Sequence, residues 1–399
     1  MKQLIKKFTP KFILSWYHYG LAILAKWFYD NPSGKMIVAG VTGTAGKSST
    51  CYFIAQILES AGLKIGMTTT TLLKIANKEW LNDKKMTMLG RFQTQKLLKQ
   101  MFKAGCTVAI IETSSEGIKQ YRHMGINYDL LVLTNLYPEH IEAHGSFENY
   151  KKTKGELFEH LGKKTIIINA DDQHADYFLD FPAKKKIKYN IKDWNNNWQM
   201  NLFGEYNKYN VIAAAKVAEE LGVEENLVSQ AIKKLKPLPG RLEFIENNLG
   251  IKIIVDYSFE PKALEKLYQT IDDIKYNKLI HVLGSTGGGR DKARRPILGK
   301  MANKKADIII ITNEDPYDEN PQEIIDQVAS QVDKNKLYKI LDRREAIKKA
   351  LELAGENDLI LITGKGAEQV ICVANNKKIP WDDRIVVREE LKKFKKITN

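Results

Sequence analysis

Residues 36–50 read MIVAGVTGTAGKSST, and this stretch decides the fold of the chain around it. The apolar run Met36 to Ala39 indicates a buried strand, and a helical pattern follows from Cys51 to Ser60. A glycine-rich turn between a strand and a helix presents backbone amides to phosphate, because glycine permits close approach and the helix N-terminus favours negative charge. Phosphate contacts are therefore predicted at Gly43, Thr44, Ala45, Gly46, Lys47, Ser48 and Ser49.

The same alternation of short apolar runs and helical segments continues along the chain. Continuous apolar runs between helices predict parallel strands that are covered on both faces. Such runs occur at Val108 to Ile111, Leu130 to Leu133 and Thr165 to Ile168, and again from Ile251 onwards. Residues 237–240 read PLPG, which is typical of a linker. The prediction is an α/β chain with a helical segment at 1–34 and two domains at 35–238 and 239–399.

The composition excludes several classes of protein. A chain of 399 residues with 43% hydrophobic and 28% charged residues is too long for one ordinary core and too polar for a polytopic membrane protein. Its net charge of +14 favours anionic partners such as nucleotides, but lysine runs such as residues 184–186 are typical of solvated faces, so no nucleic-acid partner is expected. The cysteines Cys51, Cys106 and Cys372 form no CxxC pair, which favours a reducing cytoplasm.

The segment before the phosphate loop leaves two alternatives open. Residues 8–29 carry Phe, Ile, Leu, Trp and Tyr around Lys11, His18 and Lys26, which predicts a helix. The apolar run is interrupted and too short for a spanning helix of about 20 apolar residues, and no signal-peptide cleavage site follows it. The helix either docks on the protein's own core or makes peripheral contact with the inner face of a membrane.

The loop pattern TGTxGK followed by hydroxyl residues resembles the Mur ligase and folylpolyglutamate synthase superfamily. Similar landmarks recur in family order from residue 36 to residue 390, with the greatest similarity to the tripeptide synthetases of peptidoglycan synthesis. They include TNLYPEHIEAHG at 134–145, PGRLE at 239–243 and GKGAE at 364–368. The resemblance implies a central P-loop ATPase domain with a mostly parallel sheet and a C-terminal Rossmann-like α/β domain. It also implies that ATP activates a carboxylate as an acyl phosphate, which an amine then attacks.

The resemblance implies a magnesium site beside the phosphate loop. Its ligands would be Ser48, Glu112 at a strand end, and His140. Lys154 matches the lysine that is carbamylated in many of these ligases, which turns a cation into a carboxylate-like ligand. Physically, Glu112 also suits a strand-end cap and Lys154 a solvated helix face, and the spacing of His140 and His144 leaves zinc as an alternative. The implied catalytic residues are Lys47, Glu112, His140, Lys154 and Arg290.

Two asparagines of the first domain are implied to lie near the nucleotide. Asn207 and Asn210 match family positions that approach the nucleotide or support its pocket. They precede an Ala-rich helical run from Val211 to Ala218, so an N-cap explains one of them equally well.

The second domain adds further implied nucleotide contacts. Arg290 and Lys292 follow a glycine run, and the resemblance implies that they neutralise the γ-phosphate when the domains close, a role that suits cationic groups near a transferring phosphoryl. Arg241 belongs to the PGRLE joint. Asp256 matches a position that helps to place the nucleotide, or it caps the helix that begins at Pro261.

The resemblance also implies an acceptor site and an amino-acid site. Residues 314–317 read EDPY where relatives that add diaminopimelate have DNPR. The missing arginine removes a fork that pairs with a distal carboxylate, so the two carboxylates predict a cationic side chain such as lysine. The implied substrate contacts are Ser114, Ser115, Arg122, Glu314, Asp315, Tyr317, Lys365 and Glu368.

Several departures from the family pattern keep other functions open. About 35 residues precede the loop, where full-length tripeptide synthetases have a UDP-binding domain. Either another surface binds the UDP sugar or the acceptor is different, and the expected acceptor is a small-molecule or a lipid-linked carboxylate. Phe259 and Ala367 stand where the family has histidines, and Tyr317 where it has arginine. The alternatives are a ligase for folate or another carboxylate, and a nucleotide-binding scaffold at the membrane without turnover.

Overall fold

The structure, a computed structural model of the chain, describes residues 11–84, 86–139, 141–162, 164–289 and 292–397. It divides into two compact units, Met1–Lys236 and Pro237–Asn399. Each unit contains a sheet of mostly parallel strands, which confirms the predicted fold class. The predicted site residues His140 and Arg290 lie outside the described residues, as do residues 1–10 of the predicted N-terminal segment.

The first unit contains the sheet that carries the phosphate loop. Its strands are β1 (Ile37–Thr42), β2 (Ile65–Thr68), β3 (Leu72–Ile75), β4 (Lys78–Leu81), β5 (Val108–Glu112), β6 (Leu130–Leu133), β7 (Thr165–Asn169) and β8 (Lys185–Tyr189). Its helices are α1 (Lys11–Phe28), α2 (Lys47–Ser60), α3 (Arg91–Lys103), α4 (Ser115–Lys119), α5 (Ile141–His144), α6 (Phe147–Glu159), α7 (Ala175–Leu179), α8 (Glu205–Glu220) and α9 (Glu225–Lys233). Short 3-10 turns lie at Pro32–Lys35 and Ile191–Asp193.

The strand order of this sheet brings the site together. The order is β4-β3-β2-β5-β1-β6-β7-β8, and each neighbouring pair from β2 to β8 is parallel. The central strands are apolar because helices cover both faces, and all five residues of β5 are buried. Because parallel strands end at the same edge of a sheet, the residues that follow β1, β2, β5 and β6 lie close together.

The second unit repeats the architecture with a smaller sheet. Its strands are β9 (Glu243–Phe244), β10 (Lys252–Asp256), β11 (Leu279–Leu283), β12 (Ile308–Ile311), β13 (Leu337–Lys339), β14 (Leu359–Thr363), β15 (Val370–Val373) and β16 (Lys377–Pro380). Its helices are α10 (Pro261–Ile271), α11 (Arg294–Lys305), α12 (Pro321–Ala329), α13 (Arg343–Leu353) and α14 (Asp383–Ile397). The sheet order is β13-β12-β11-β14-β10-β9, in which only β9 is antiparallel to its neighbour, and β15 and β16 form a separate hairpin.

The N-terminal helix α1 lies against α3. Its inner face is buried at Ala22 and Ala25, which are 1% and 0% exposed, so this part of the helix docks on the body of the unit. Its outer face exposes large aromatic side chains, including Trp16 and Trp27. No helix in the described part of the chain combines the length and the apolar character that a bilayer crossing requires.

Candidate functional site

The phosphate loop connects β1 to α2 and can be built only with glycine at two positions. Gly43 has φ 149° and Gly46 has φ 79°, a region that L side chains rarely adopt. A Cβ at Gly43 would lie 1.9 Å from Oγ1 of Thr134, and a Cβ at Gly46 would lie 2.4 Å from Oδ1 of Asn210. Both glycines are therefore required by backbone conformation and by close neighbours.

Asn135, just after β6, holds the loop in place. The amide of Thr44 donates to the Asn135 carbonyl (2.9 Å), and the amide of Ala45 donates to its side-chain Oδ1 (2.9 Å). The Ala45 carbonyl accepts hydrogen bonds from Nδ2 of Asn135 (3.1 Å) and Oγ1 of Thr134 (2.7 Å). Two of the predicted phosphate-binding amides thus have partners within the unit, and the amides of the first turn of α2 are those that no helical carbonyl can satisfy.

Glu112 lies at the end of β5 and faces this first turn. The hydroxyl of Ser48 donates to Oε2 of Glu112 at 2.7 Å, and the two residues are 7% and 2% exposed. Thr70, in the turn after β2, donates to the same carboxylate from its amide at 2.7 Å and from its hydroxyl at 3.1 Å. The predicted pair Ser48 and Glu112 therefore forms a buried cluster of oxygen atoms beside the phosphate loop.

Two lysines reach the phosphate loop from different directions. Nζ of Lys47 donates to the Thr44 carbonyl and Nζ of Lys154 to the Gly43 carbonyl, both at 2.7 Å. Lys154 is only 1% exposed, and its ammonium group lies 4.8 Å from the centre of the Tyr150 ring. Burial, and next the charge of Lys47, hold the pKa of Lys154 well below its usual value. The structure thus places Lys154 inside the loop cluster and away from a solvated helix face.

The two asparagines of α8 lie next to the phosphate loop and the first turn of α2. Oδ1 of Asn210 accepts a hydrogen bond from Oγ1 of Thr50 at 3.2 Å, and its Nδ2 donates to Oδ1 of Asn207 at 3.3 Å. Nδ2 of Asn207 donates to the Phe203 carbonyl at 2.8 Å. The residue at the N-cap position of α8 is Gly204, so neither asparagine is the cap of this helix.

The predicted acceptor residues Ser114 and Ser115 follow β5 at the same edge of the sheet. The Ser114 hydroxyl caps α4 by accepting from the amide of Gly117 at 3.2 Å. The Ser115 hydroxyl lies 3.1 Å from Nε2 of His144, and both side chains are buried. The structure thus gives each serine a local partner as well as its place at the strand end.

Arg122 belongs to a half-buried pair of guanidinium groups. It donates to the carbonyl of Met88 and, from Nη2, to Oε1 of Gln120 at 2.7 Å, while Arg91 donates to the carbonyl of Gln120. Within the described residues no carboxylate lies within 4 Å of either guanidinium, and Nε of Arg91 is buried without a hydrogen-bond partner. Burial lowers the pKa of Arg122, and burial together with the charge of Arg122 lowers the pKa of Arg91. This pair is a candidate site for an anion.

The second unit contains a separate cluster of charged residues. Nζ of Lys365 lies 3.0 Å from both carboxylate oxygens of Asp315 and also donates to Glu368. The amide of Cys372 donates to Asp315 at 2.7 Å. Three of the predicted amino-acid contacts therefore form an ion-pair cluster inside the unit, with one ammonium group between two carboxylates.

Glu314 lies outside this ion-pair cluster. Its Oε1 accepts from Oγ1 of Thr286 at 2.6 Å, whereas its buried Oε2 has no hydrogen-bond partner among the described residues. Burial raises the pKa of Glu314. Tyr317, in the same segment, has a backbone φ of 51°. Its ring packs against Gly288, where an added Cβ would lie 2.7 Å from the ring. Glu314 is thus the carboxylate of this segment that can receive a cation.

Three predicted nucleotide residues of the second unit are described by the structure, and each has a partner within that unit. The guanidinium of Arg241 lies 4.4 Å from the centre of the Tyr257 ring. Asp256 accepts hydrogen bonds from the amides of Leu242 and Ser258, both at 2.7 Å, and the N-cap residue of α10 is Glu260, so Asp256 does not cap that helix. Nζ of Lys292 lies 3.3 Å from Oε2 of Glu319.

Several residues of the site escaped prediction from the sequence. Thr70 contacts Glu112, Asn135 holds the phosphate loop, and Arg91 pairs with Arg122. A signal for Thr70 exists in the run of four threonines that follows Met67, because β2 ends there. Within the described residues, no three side chains of His, Cys, Asp or Glu converge as metal ligands.

Comparison with known proteins identifies the family. A model described as "Mur ligase middle domain" matches residues 41–199, and one described as "Mur ligase, glutamate ligase domain" matches residues 240–366. The UDP-N-acetylmuramoyl-L-alanyl-D-glutamate--2,6-diaminopimelate ligase of Clostridium tetani is 33% identical, with 92% of this chain and 80% of that protein covered. The UDP-N-acetylmuramyl-tripeptide synthetase of Roseiflexus sp. is 32% identical, with 93% and 81% covered.

A solved structure agrees with these relatives. A UDP-N-acetylmuramoyl-L-alanyl-D-glutamate--2,6-diaminopimelate ligase superposes with a TM-score of 0.61 at 29% identity, covering 90% of this chain and 79% of that chain. The family matches begin at residue 41, inside the phosphate loop, and include both units. The resemblance of the motifs is thereby confirmed, and the chain belongs to the Mur ligase family of ATP-dependent peptide ligases.

Proposed function

We propose that this ligase uses ATP to phosphorylate an acceptor carboxylate and then joins the acyl phosphate to the amine of an amino acid. The observation that carries this proposal is the contact of 2.7 Å between Ser48 and Glu112 beside a phosphate loop at the edge of a parallel sheet. Triphosphate would lie on the first turn of α2, with Lys47 against its terminal phosphates. The further proposed nucleotide contacts are Asn207, Asn210, Arg241, Asp256, Arg290 and Lys292.

The buried oxygen cluster fits a magnesium ion. Hydroxyl and carboxylate oxygens are the ligands that this hard cation prefers, and Ser48 and Glu112 present both types next to the phosphate loop. His140 and carbamylated Lys154 are the other proposed ligands. The ion would offset the negative charge of the phosphates during transfer.

Lys154 is the residue that we propose to be carbamylated. A neutral amine attacks carbon dioxide, a new N–C bond forms, and one proton is released, which leaves a carbamate in place of a cation. The lowered pKa of Lys154 favours the neutral amine that this step needs. Lys154 is only 1% exposed. Carbamylation would therefore also remove a buried positive charge from the phosphate loop.

The proposed substrates follow from the relatives and from the second unit. The names of the relatives specify a UDP-N-acetylmuramoyl dipeptide as acceptor and diaminopimelate as amine. For this chain we propose a cytoplasmic acceptor of that class, or a lipid-linked carboxylate, and an amino acid whose cationic side chain meets Glu314. Ser114, Ser115 and the arginine pair of Arg91 and Arg122 would orient the acceptor.

Release of phosphate from ATP tests this function. The full chain is incubated with Mg-ATP, bicarbonate, a UDP-N-acetylmuramoyl dipeptide and either lysine or diaminopimelate, and products are weighed by mass spectrometry. The proposal requires phosphate release only when acceptor and amine are both present, with a product heavier by one amino acid. Release without any amide product would contradict the proposed ligation. Nucleotide binding without turnover for any acceptor would contradict it in favour of a scaffold. Lys47→Ala should abolish release, because the ammonium group that meets the terminal phosphates is lost.

A further inference from the structure

The outer face of α1 is an exposed apolar stripe. Its residues recur at spacings of three and four, which places them on one side of an α-helix. Trp16 is 76% exposed and Trp27 is 78% exposed, values that are unusual for tryptophan in a folded protein. The stripe consists of Ile13, Trp16, Tyr17, Leu24, Trp27 and Phe28.

The opposite face fixes this helix to the body of the first unit. Ala22 and Ala25 are buried, and Nζ of Lys26 donates to Oδ1 of Asn127 at 3.2 Å. At the end of the helix, the ring of Phe28 lies 6.1 Å from that of Phe92, which is itself 37% exposed. The stripe is thus presented outwards by a docked helix, and it continues onto α3.

The sequence of this segment carries only positive charge. Residues 1–29 contain five lysines and no aspartate or glutamate, and the first acidic residue is Asp30. The stripe is also small, because an 18-residue helix is about 27 Å long and about 10 Å wide, which gives on the order of 300 Å² against the ~800 Å² per partner of a stable protein interface. A large, anionic and apolar surface suits it better.

We propose that α1 is an interfacial anchor that seats the protein on an anionic lipid bilayer. Tryptophan and tyrosine favour the headgroup level of a membrane, and a basic segment adds attraction to anionic lipids. The helix lies in the plane of the surface and does not cross it, in agreement with its length and apolar content. This inference goes beyond the proposed ligase activity and does not depend on it.

Vesicle flotation tests the anchor. The full chain is mixed with vesicles of phosphatidylcholine alone or with vesicles that also contain about 30% phosphatidylglycerol. The buffer contains about 0.1 M salt, at which the Debye length is about 10 Å. Binding is expected to the anionic vesicles, with a blue shift of tryptophan fluorescence. The double substitution Trp16→Gln and Trp27→Gln should lower the partition coefficient about tenfold or more, because it removes the apolar anchors. Trp80→Gln is the matched control, since Trp80 is 40% exposed on β4 and outside the stripe.

The outcomes separate the partners that this face could have. Equal binding of wild type and the double variant, or no binding of wild type to anionic vesicles, overturns the anchor. A dimer in light scattering that the double variant loses, without vesicle binding, also overturns it and assigns the stripe to a second copy. Unchanged phosphate release by the double variant in vesicle-free solution shows that a loss of partitioning is not a loss of fold. Failure of the ligase assay in every protein leaves the flotation result standing.

Discussion

Oγ of Ser48 lies 2.7 Å from Oε2 of Glu112, so a hydrogen bond between two buried side chains joins the first turn of α2 to the end of β5. The two residues are 64 positions apart in the chain. Their contact exists because β1, which leads into the loop, is the direct neighbour of β5 in the sheet. A hydroxyl and a carboxylate at this place make the metal assignment testable.

Replacing Glu112 by Gln should lower kcat by at least about 100-fold, because the negative charge that we assign to the magnesium ion is lost while the shape is kept. The decrease is measured as phosphate release over a range of Mg²⁺ concentrations. Glu79→Gln, on exposed β4, is the control and should behave as wild type. Full activity of the Glu112 variant at low Mg²⁺ would remove Glu112 from the metal site.

Activity should depend on bicarbonate through Lys154. Removing carbon dioxide from the buffer should reduce phosphate release, and bicarbonate should restore it, because the neutral amine forms a carbamate with dissolved carbon dioxide. The lowered pKa keeps that form accessible near neutral pH. Lys154→Met should be inactive in either buffer, whereas Lys152→Met, on the exposed face of α6, should keep the response. A carbamate is lost in acid, so an intact mass without it would not exclude the modification. The kinetic response to bicarbonate is therefore the criterion.

The two glycines at the ends of α2 separate backbone strain from steric clash. Gly62 has φ 84° and no neighbour within 4 Å of a Cβ, so Gly62→Ala should cost about 1 kcal/mol of unfolding free energy. Gly46→Ala adds the contact with Asn210 and should cost more, with loss of ATP affinity. Urea unfolding and nucleotide titration measure both effects. Equal costs for the two variants would show that Asn210 moves aside freely.

Glu314→Gln should raise the KM for a cationic amino acid about tenfold or more and leave the KM for ATP unchanged. The reason is that a charge-assisted hydrogen bond to the unpartnered Oε2 would be lost. Steady-state kinetics with lysine as the varied substrate provide the measurement, and Glu323→Gln, exposed on α12, is the control. An unchanged KM for every amine would move the amino-acid site elsewhere.

Acid should destabilise the second unit through His281. This histidine is buried between the Tyr268 hydroxyl (2.8 Å) and the Thr363 hydroxyl (3.0 Å), and burial lowers its pKa to about 3. Its unfolded pKa is about 6.5, so the unfolded chain binds the proton more tightly, and stability is lost as pH falls from about 6.5 towards 3, by up to about 1.4 kcal/mol per pH unit. His281→Gln should flatten this dependence in denaturation curves, and the exposed His160→Gln should not.

The strands of both sheets could be predicted from the sequence where they form continuous apolar runs. β5, β6 and β7 coincide with continuous apolar runs because helices cover both faces of the sheet. β2 reads IGMT and gave no such run, so the hairpin that follows it was not predicted. Because β2 was not predicted, Thr70 was not predicted either. Its contact with Glu112 depends on the pairing of β2 with β5.

The sequence named candidate residues of the site but not the contacts among them. Glu112 and Lys154 follow from motifs, and their burial follows from the sheet order, which a sequence does not display. The pairing of Lys365 with Asp315 joins residues 50 positions apart, and it converts two predicted substrate contacts into an internal ion pair. The family resemblance implied carboxylates near an amine, and among the described residues of that segment the geometry leaves Oε2 of Glu314 without a hydrogen-bond partner.

Asn135 gives the nucleotide site a thermodynamic property of its own. Because its backbone and side chain already hold Thr44 and Ala45, the loop is preorganised before any triphosphate arrives. Little conformational entropy is then lost on association, and more of the interaction energy appears as affinity. A chain whose loop was disordered would have to order it on binding. It would therefore bind the same nucleotide more weakly through the same contacts.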